Sequence, residues 1–167
     1  MVSFHAYCRQ NGWKICWLLV GEPTLHLYKP TNIRTIPIGA SAVIDVAQFS
    51  QDTVRDKWWR WQRNRATKAG FSYDVSLPPH SSQLLAEVKT VSDAWLQREG
   101  RREQGFALGY YDEQYLQQCV LHLLRDQSGQ LLAFANQVPV FSNLKQTTVD
   151  LIRFREDAPG AMPMLLS

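Results

Sequence analysis

The chain has no long apolar run. Its longest, Ile15 to Val20, is strand-sized and far short of the ~18–20 residues needed to span a bilayer. The opening Met1-Val2-Ser3-Phe4-His5 lacks a charged region followed by an apolar core, so no secretory leader is read there. Cysteine is scarce. Cys8, Cys16 and Cys119 are far apart with no C-x-x-C spacing, which argues against a zinc site and for free thiols in a reducing compartment. His5, His26, His80 and His122 show no metal-ligand spacing, and no G-x-S-x-G elbow marks a serine hydrolase. Internal repeats and low-complexity stretches are absent as well. The expectation is a cytoplasmic protein without a metal.

What is present suits one ordinary globular domain: 167 residues, 45% hydrophobic and 20% charged. The net charge of +3 is unevenly spread. Between positions 55 and 68, Arg55, Lys57, Arg60, Arg63, Arg65 and Lys68 face Asp56 alone, a local +5 that leaves −2 for the remainder. Val54, Trp58 and Trp61 recur at helical spacing and predict an apolar stripe, with Trp59 off it. The basic face fits two polyanions equally, tRNA phosphates and anionic lipid head groups. A plain solvated face with core tryptophans accounts for it too.

Taken in order, the pattern predicts a helix ended by Gly12, a strand over 13–20, and a hairpin return over 25–28. An extended piece with Pro37 follows. A helix capped by Ser50 or Asp52 should run to Ala69 and stop at Gly70. Then come a strand over 71–75, a break at Pro78-Pro79, and a helix capped by Ser81 or Ser82. That helix carries Leu84, Val88, Val91 and Trp95 toward a core. A charged loop over 99–103 and a helix through Leu116 lead to strands over 120–125 and 130–138, joined at Asp126-Gln127-Ser128-Gly129. The order suggests a mixed α+β domain with a largely antiparallel sheet.

The last strand, Thr147 to Phe154, places Asp150 and Arg153 in an apolar run. Charges in a buried strand need partners or a use. In regular extended chain these two positions face opposite ways. Either the strand bulges or ends there, or each charge has its own partner. From residue types alone, an exposed-edge Arg153 and a turn-capping Asp150 are the simplest account.

Asp150-Leu151-Ile152-Arg153-Phe154, followed by Glu156-Asp157-Ala158-Pro159, resembles a segment of the phosphatidylglycerol lysyltransferase C-terminal domain family. Three more blocks agree in order: Ile38 to Asp45, Glu103 to Gly109, and Leu132 to Asn136. The likeness runs from about Gly12 to Pro159. It implies a GNAT-like fold in an incomplete tandem, with residues 1–45 the tail of a first subdomain and linker and 46–167 a partial second subdomain. It also implies transfer of an amino acid from aminoacyl-tRNA to phosphatidylglycerol or a related lipid, with no cofactor.

By the same resemblance Asp150 and Arg153 are the catalytic pair, facing a shared cavity. Asp150 would hold the amino group or assist proton transfer, and Arg153 would bind a lipid phosphate or orient Asp150. Glu103, Phe106 and Gly109 would bind substrate; on the charge pattern alone, and not on the resemblance, Arg55, Lys57, Arg60, Arg63, Arg65 and Lys68 would dock tRNA or lipid. Where the family continues past this motif, the chain reads Gly160 to Ser167, with Pro163 in place of an expected aspartate. The expectation is therefore a truncated member, possessing no membrane portion and touching the inner face of the membrane peripherally if at all. Two other readings stand beside it: a non-catalytic tRNA- or lipid-binding remnant, and a small-molecule N-acyltransferase. The Q/R-x-x-G-x-G/A turn that cradles coenzyme A pyrophosphate is missing, which disfavours the last.

Overall fold

A computed structural model describes residues 2–40, 42–98, 100, 102–103, 105, 109–140, 146–158 and 160–166. Two compact units divide the chain, Met1–Val43 and Ile44–Ser167. In the first, helix α1 (Val2–Gln10) is closed by Gly12 at φ +72°, as its sequence predicts. The expected strand over 13–20 and hairpin over 25–28 do not form. Residues 13–18 have no regular structure, and Glu22–Leu27 and Lys29–Thr31 are 3₁₀ turns.

The reason is local chemistry. Pro23 and Pro30 sit at the start of the two turns, where a missing N–H costs nothing. Thr24 and Thr31 hydroxyls donate to the carbonyls of Gly21 and Tyr28 (2.8 and 2.6 Å), three residues back. Trp17, which would line one face of a strand, instead meets Phe4 and Tyr28 edge-on (5.7 and 5.5 Å).

In the second unit, the single basic helix expected from position 50 or 52 is divided. Helix α2 (Val46–Gln51) is capped by Asp45, whose Oδ1 accepts from Gln48 N–H at 3.0 Å. A 3₁₀ turn over Thr53–Arg55 follows, and α3 spans Lys57–Lys68. Its end is a Schellman motif: Gly70 N–H donates to the Thr67 carbonyl and Phe71 N–H to the Ala66 carbonyl, with Gly70 at φ +72°.

The sheet comprises β1 (Ser72–Ser76), β2 (Val120–Arg125), β3 (Leu131–Gln137) and β4 (Val149–Phe154), in the order β1-β2-β3-β4 with every pairing antiparallel. Between β1 and β2 run α4 (Ser82–Gln97) and the single turn α5 (Glu113–Leu116), and α6 (Ala161–Leu166) follows β4. Ser81 Oγ caps α4 by accepting from Leu84 N–H (3.1 Å). The β2–β3 turn is held by Asp126, whose Oδ1 accepts from Ser128 N–H, Ser128 Oγ–H and Gln130 N–H (2.8, 2.7 and 2.9 Å).

One face of the sheet packs on α4 through Leu85, Val88, Val91, Leu121, Leu123, Phe134 and Leu151. Each such side chain, fully buried, contributes about 1.5–3 kcal/mol. The other face packs on α6 through Leu124, Ala133, Ala135, Ala161 and Leu165, and α3 lies against α6. The fold is α+β and GNAT-like. Among the described residues no helix is long and apolar enough to cross a membrane.

Candidate functional site

The site begins with an irregularity. Ala135 pairs with Ile152 and Gln137 with Val149, so the single residue Asn136 lies opposite both Asp150 and Leu151. This is a β-bulge, which re-aims side chains. Asp150 thereby reaches α5 and Arg153 reaches α4, both on the α4 side of the sheet.

Arg153 is 3% exposed, not on a solvated edge as residue types alone suggest. Its guanidinium donates twice to Glu103, Nη1 to Oε1 at 2.6 Å and Nη2 to Oε2 at 2.7 Å. Nη1 also donates to Ser92 Oγ on α4, and the group lies 5.2 Å from the centre of the Trp95 ring. Two parallel bonds to a carboxylate suit the planar fork of arginine. Glu103 also accepts from Tyr111 N–H (3.1 Å). The Arg153 hydrogen bonds chiefly hold the Glu103 carboxyl below the usual range. The charge of Arg153 thus meets Glu103 rather than Asp150.

Asp150 is exposed, and its Oδ2 accepts from the Tyr115 hydroxyl at 3.1 Å. The same hydroxyl accepts from Asn136 Nδ2 (3.2 Å), and Asn136 Oδ1 accepts from Leu151 N–H in the bulge (2.6 Å). Burial raises the Tyr115 phenol to about 12, helped by the nearby Asp150 charge and opposed by the Asn136 bond. Tyr115 is fixed by α5. Asp112 Oδ1 caps that turn at Tyr115 N–H (2.7 Å), and Gln117 exchanges two 2.8 Å hydrogen bonds with the His80 backbone. Gly109 closes the other side: a Cβ there would stand 2.2–2.5 Å from the Asp150 carboxylate. A larger residue at 109 would push that carboxylate aside, so it is close approach and not φ that favours glycine there.

Of the remaining expected residues, Phe106 lies outside the described residues. Arg55, Lys57, Arg60, Arg63, Arg65 and Lys68 are all exposed. The apolar stripe expected of α3 is reversed. Trp58 and Trp61 are 51% and 55% exposed, while Trp59, Gln62 and Ala66 turn inward. Trp59 packs edge-on against Phe49 (5.2 Å), and Arg65 lies over the Trp61 ring (5.5 Å). An open cleft of about 570 Å³ at the end of α4, lined by Ala94, Gln97, Arg98, Arg155, Glu156 and Asp157, includes neither Asp150 nor Arg153.

The family model "Phosphatidylglycerol lysyltransferase, C-terminal" matches residues 1–167. The chain belongs to this family. Phosphatidylglycerol lysyltransferase from Bacillus subtilis (strain 168) is 29% identical over 153 residues, 92% of this chain and 18% of that protein. The same enzyme from Staphylococcus haemolyticus (strain JCSC1435) is 29% identical over 157 residues, 94% and 18%. L-PGS from Bacillus licheniformis superimposes with a TM-score of 0.85 at 30% identity, covering 99% of this chain and 50% of that one. The C-terminal domain of a putative lysylphosphatidylglycerol synthetase from Agrobacterium fabrum gives 0.86 at 27%, covering 99% and 52%. The chain spans about a fifth of the curated relatives' length and half of the solved ones.

In this lysyltransferase-family domain, sequence reasoning missed Tyr115, Asn136, Ser92 and Trp95. Asn136 left a trace, as a polar amide ending the apolar run Leu132 to Ala135. Tyr115 and Ser92 left none, since their partners lie 35 and 61 positions away.

Proposed function

We propose that this chain carries out, or forms the core of, transfer of a lysine-like amino acid from aminoacyl-tRNA to a hydroxyl of phosphatidylglycerol or a related anionic lipid. Membership of the lysyltransferase family supports the reaction class. The observation that carries the site is an exposed carboxylate, Asp150, fixed between the Tyr115 hydroxyl and the Gly109 backbone. In the step, the lipid hydroxyl oxygen bonds to the aminoacyl carbonyl carbon. The bond to the ribose oxygen breaks, and that oxygen leaves with the proton the lipid hydroxyl gave up. Ester exchanges for ester, so no energy source is drawn on.

Asp150 binds the ammonium of the aminoacyl group. Beside the bond from Tyr115, the exposed carboxylate keeps further acceptor positions for the N–H groups of an ammonium. Arg153, buried against Glu103, fixes that carboxylate rather than meeting a lipid phosphate. The exposed basic residues of α3 attract the polyanionic substrates, tRNA or anionic lipid, at a peripheral position on the cytoplasmic face of the membrane.

Purified protein given radiolabelled Lys-tRNA and phosphatidylglycerol vesicles should form aminoacylated lipid, and Asp150→Asn should lower kcat/KM roughly a hundredfold, as loss of a close charge pair does. A salt-sensitive tRNA complex shared by both proteins, with lipid product from neither, would make the chain a binding module instead.

A further inference from the structure

We propose that Tyr115 is a positioning residue for Asp150, and that the direction of its hydroxyl is set from inside the sheet by Asn136 and the bulge amide of Leu151. The functional part rests on the reading that Asp150 is used. The hydrogen-bond polarity rests on geometry alone.

Four groups form one directed chain. The Leu151 N–H can only donate, so the Asn136 atom 2.6 Å away must be its carbonyl oxygen. This fixes which way the amide is turned, with no choice left to assignment. Asn136 is 0% exposed, so no water competes for its other end. Nδ2 therefore points at the Tyr115 oxygen (3.2 Å) and Cys119 Sγ (3.4 Å) as a donor. An oxygen that accepts on that side has its single proton for the other, where Asp150 Oδ2 lies 3.1 Å away.

The bulge supplies both ends of this chain, because Leu151 and Asp150 are the two residues opposite Asn136. An unbulged strand would pair the Leu151 amide regularly and turn Asp150 away from α5. Irregular pairing and carboxylate orientation are thus a single device. The Tyr115 phenol, pushed up to about 12, keeps its proton at any physiological pH and so always donates.

A role confined to tying α5 onto the sheet makes different predictions from positioning. With the Tyr115 ring ¹³Cζ followed by NMR, the wild-type phenol should remain protonated at pH 11. In Asp150→Asn its midpoint should fall by roughly one unit, since a charge it donates to has gone. An unmoved midpoint would overturn the proposed polarity, and this reading needs no catalysis.

In the transfer assay, Tyr115→Phe should raise KM for aminoacyl-tRNA roughly tenfold, with kcat changed by less than about twofold. Adding it to Asp150→Asn should change nothing further. An equal effect in both backgrounds would show that Tyr115 acts without Asp150, against the proposal. Absence of transfer in every form would count against the proposed function and leave the phenol titration to decide the polarity.

Discussion

Arg153 and Glu103 are a pair in which one member is nearly dry and the other about one-third exposed, side chains 4% and 32%. Removing one partner of a buried pair strands the other charge, at about 3–5 kcal/mol. Stranding Arg153 is the costlier error, because it is the buried member. Yet Arg153→Met removes the buried charge itself and leaves Glu103 able to turn to water. Arg153→Met should therefore cost less, in urea unfolding, than Glu103→Leu. Glu103→Gln, which keeps an acceptor, should fall between wild type and Glu103→Leu.

The pH dependence follows with a definite sign. The folded state holds the Glu103 carboxyl below its ordinary range, so its contribution is present above the unfolded glutamate pKa of about 4.3. It is lost as pH falls through the lower folded value. The stability gap between wild type and Glu103→Gln should be flat from neutrality to about pH 5 and close below about pH 4. A gap that widens on acidification would contradict the pairing. Gly109→Ala, by contrast, should spare stability at the core while displacing Asp150, because the added methyl meets only that carboxylate among its closest atoms. The proposed transfer activity should fall with the unfolding midpoint little changed.

Elements whose instructions are local were legible in the sequence. Helix α4 announces itself by Ser81 and its apolar spacing, and the β2–β3 hairpin by Asp126 and Gly129. The end of α3 at Gly70 is equally local. Elements decided by partners were not. The 13–20 segment is apolar and strand-sized but finds no ladder, and the β4 bulge depends on Asn136, an amide from a neighbouring strand. Helix α3 shows how a periodic pattern misleads: with tryptophan at 58, 59 and 61, spacing alone allows two inward faces. Contact with α6 and Phe49 selects Trp59, Gln62 and Ala66.

A mutational contrast follows from that selection. Trp59→Ala should cost about 2–3 kcal/mol, below the full 3–5 of a wholly buried tryptophan because Trp59 is only half-buried. Trp58→Ala and Trp61→Ala together should cost under about 1 kcal/mol in thermal unfolding. If the α3 face docks a polyanion, Arg60→Glu with Arg63→Glu should weaken tRNA or anionic-vesicle binding and flatten its salt dependence. Unchanged binding would remove α3 from the interface.

At the scale of the whole molecule, the described residues of the candidate site all belong to the second unit, Ile44–Ser167. Both hydrophobic clusters, all four described strands, the Arg153–Glu103 pair and the Leu151–Asn136–Tyr115–Asp150 chain lie beyond position 43. A sheet whose central strands are covered on both faces by helices of the same unit has the ingredients of independent folding. Protein comprising residues 44–167 should therefore unfold cooperatively in urea and keep the Tyr115 phenol protonated at pH 11, as in the full chain. If α3 docks a polyanion, that binding should persist as well, since α3 and its +5 stretch are retained. A non-cooperative transition, or loss of the phenol shift, would mean that the first unit is needed to hold the bulge and α5 in register. The site would then belong to the whole chain and not to the sheet alone.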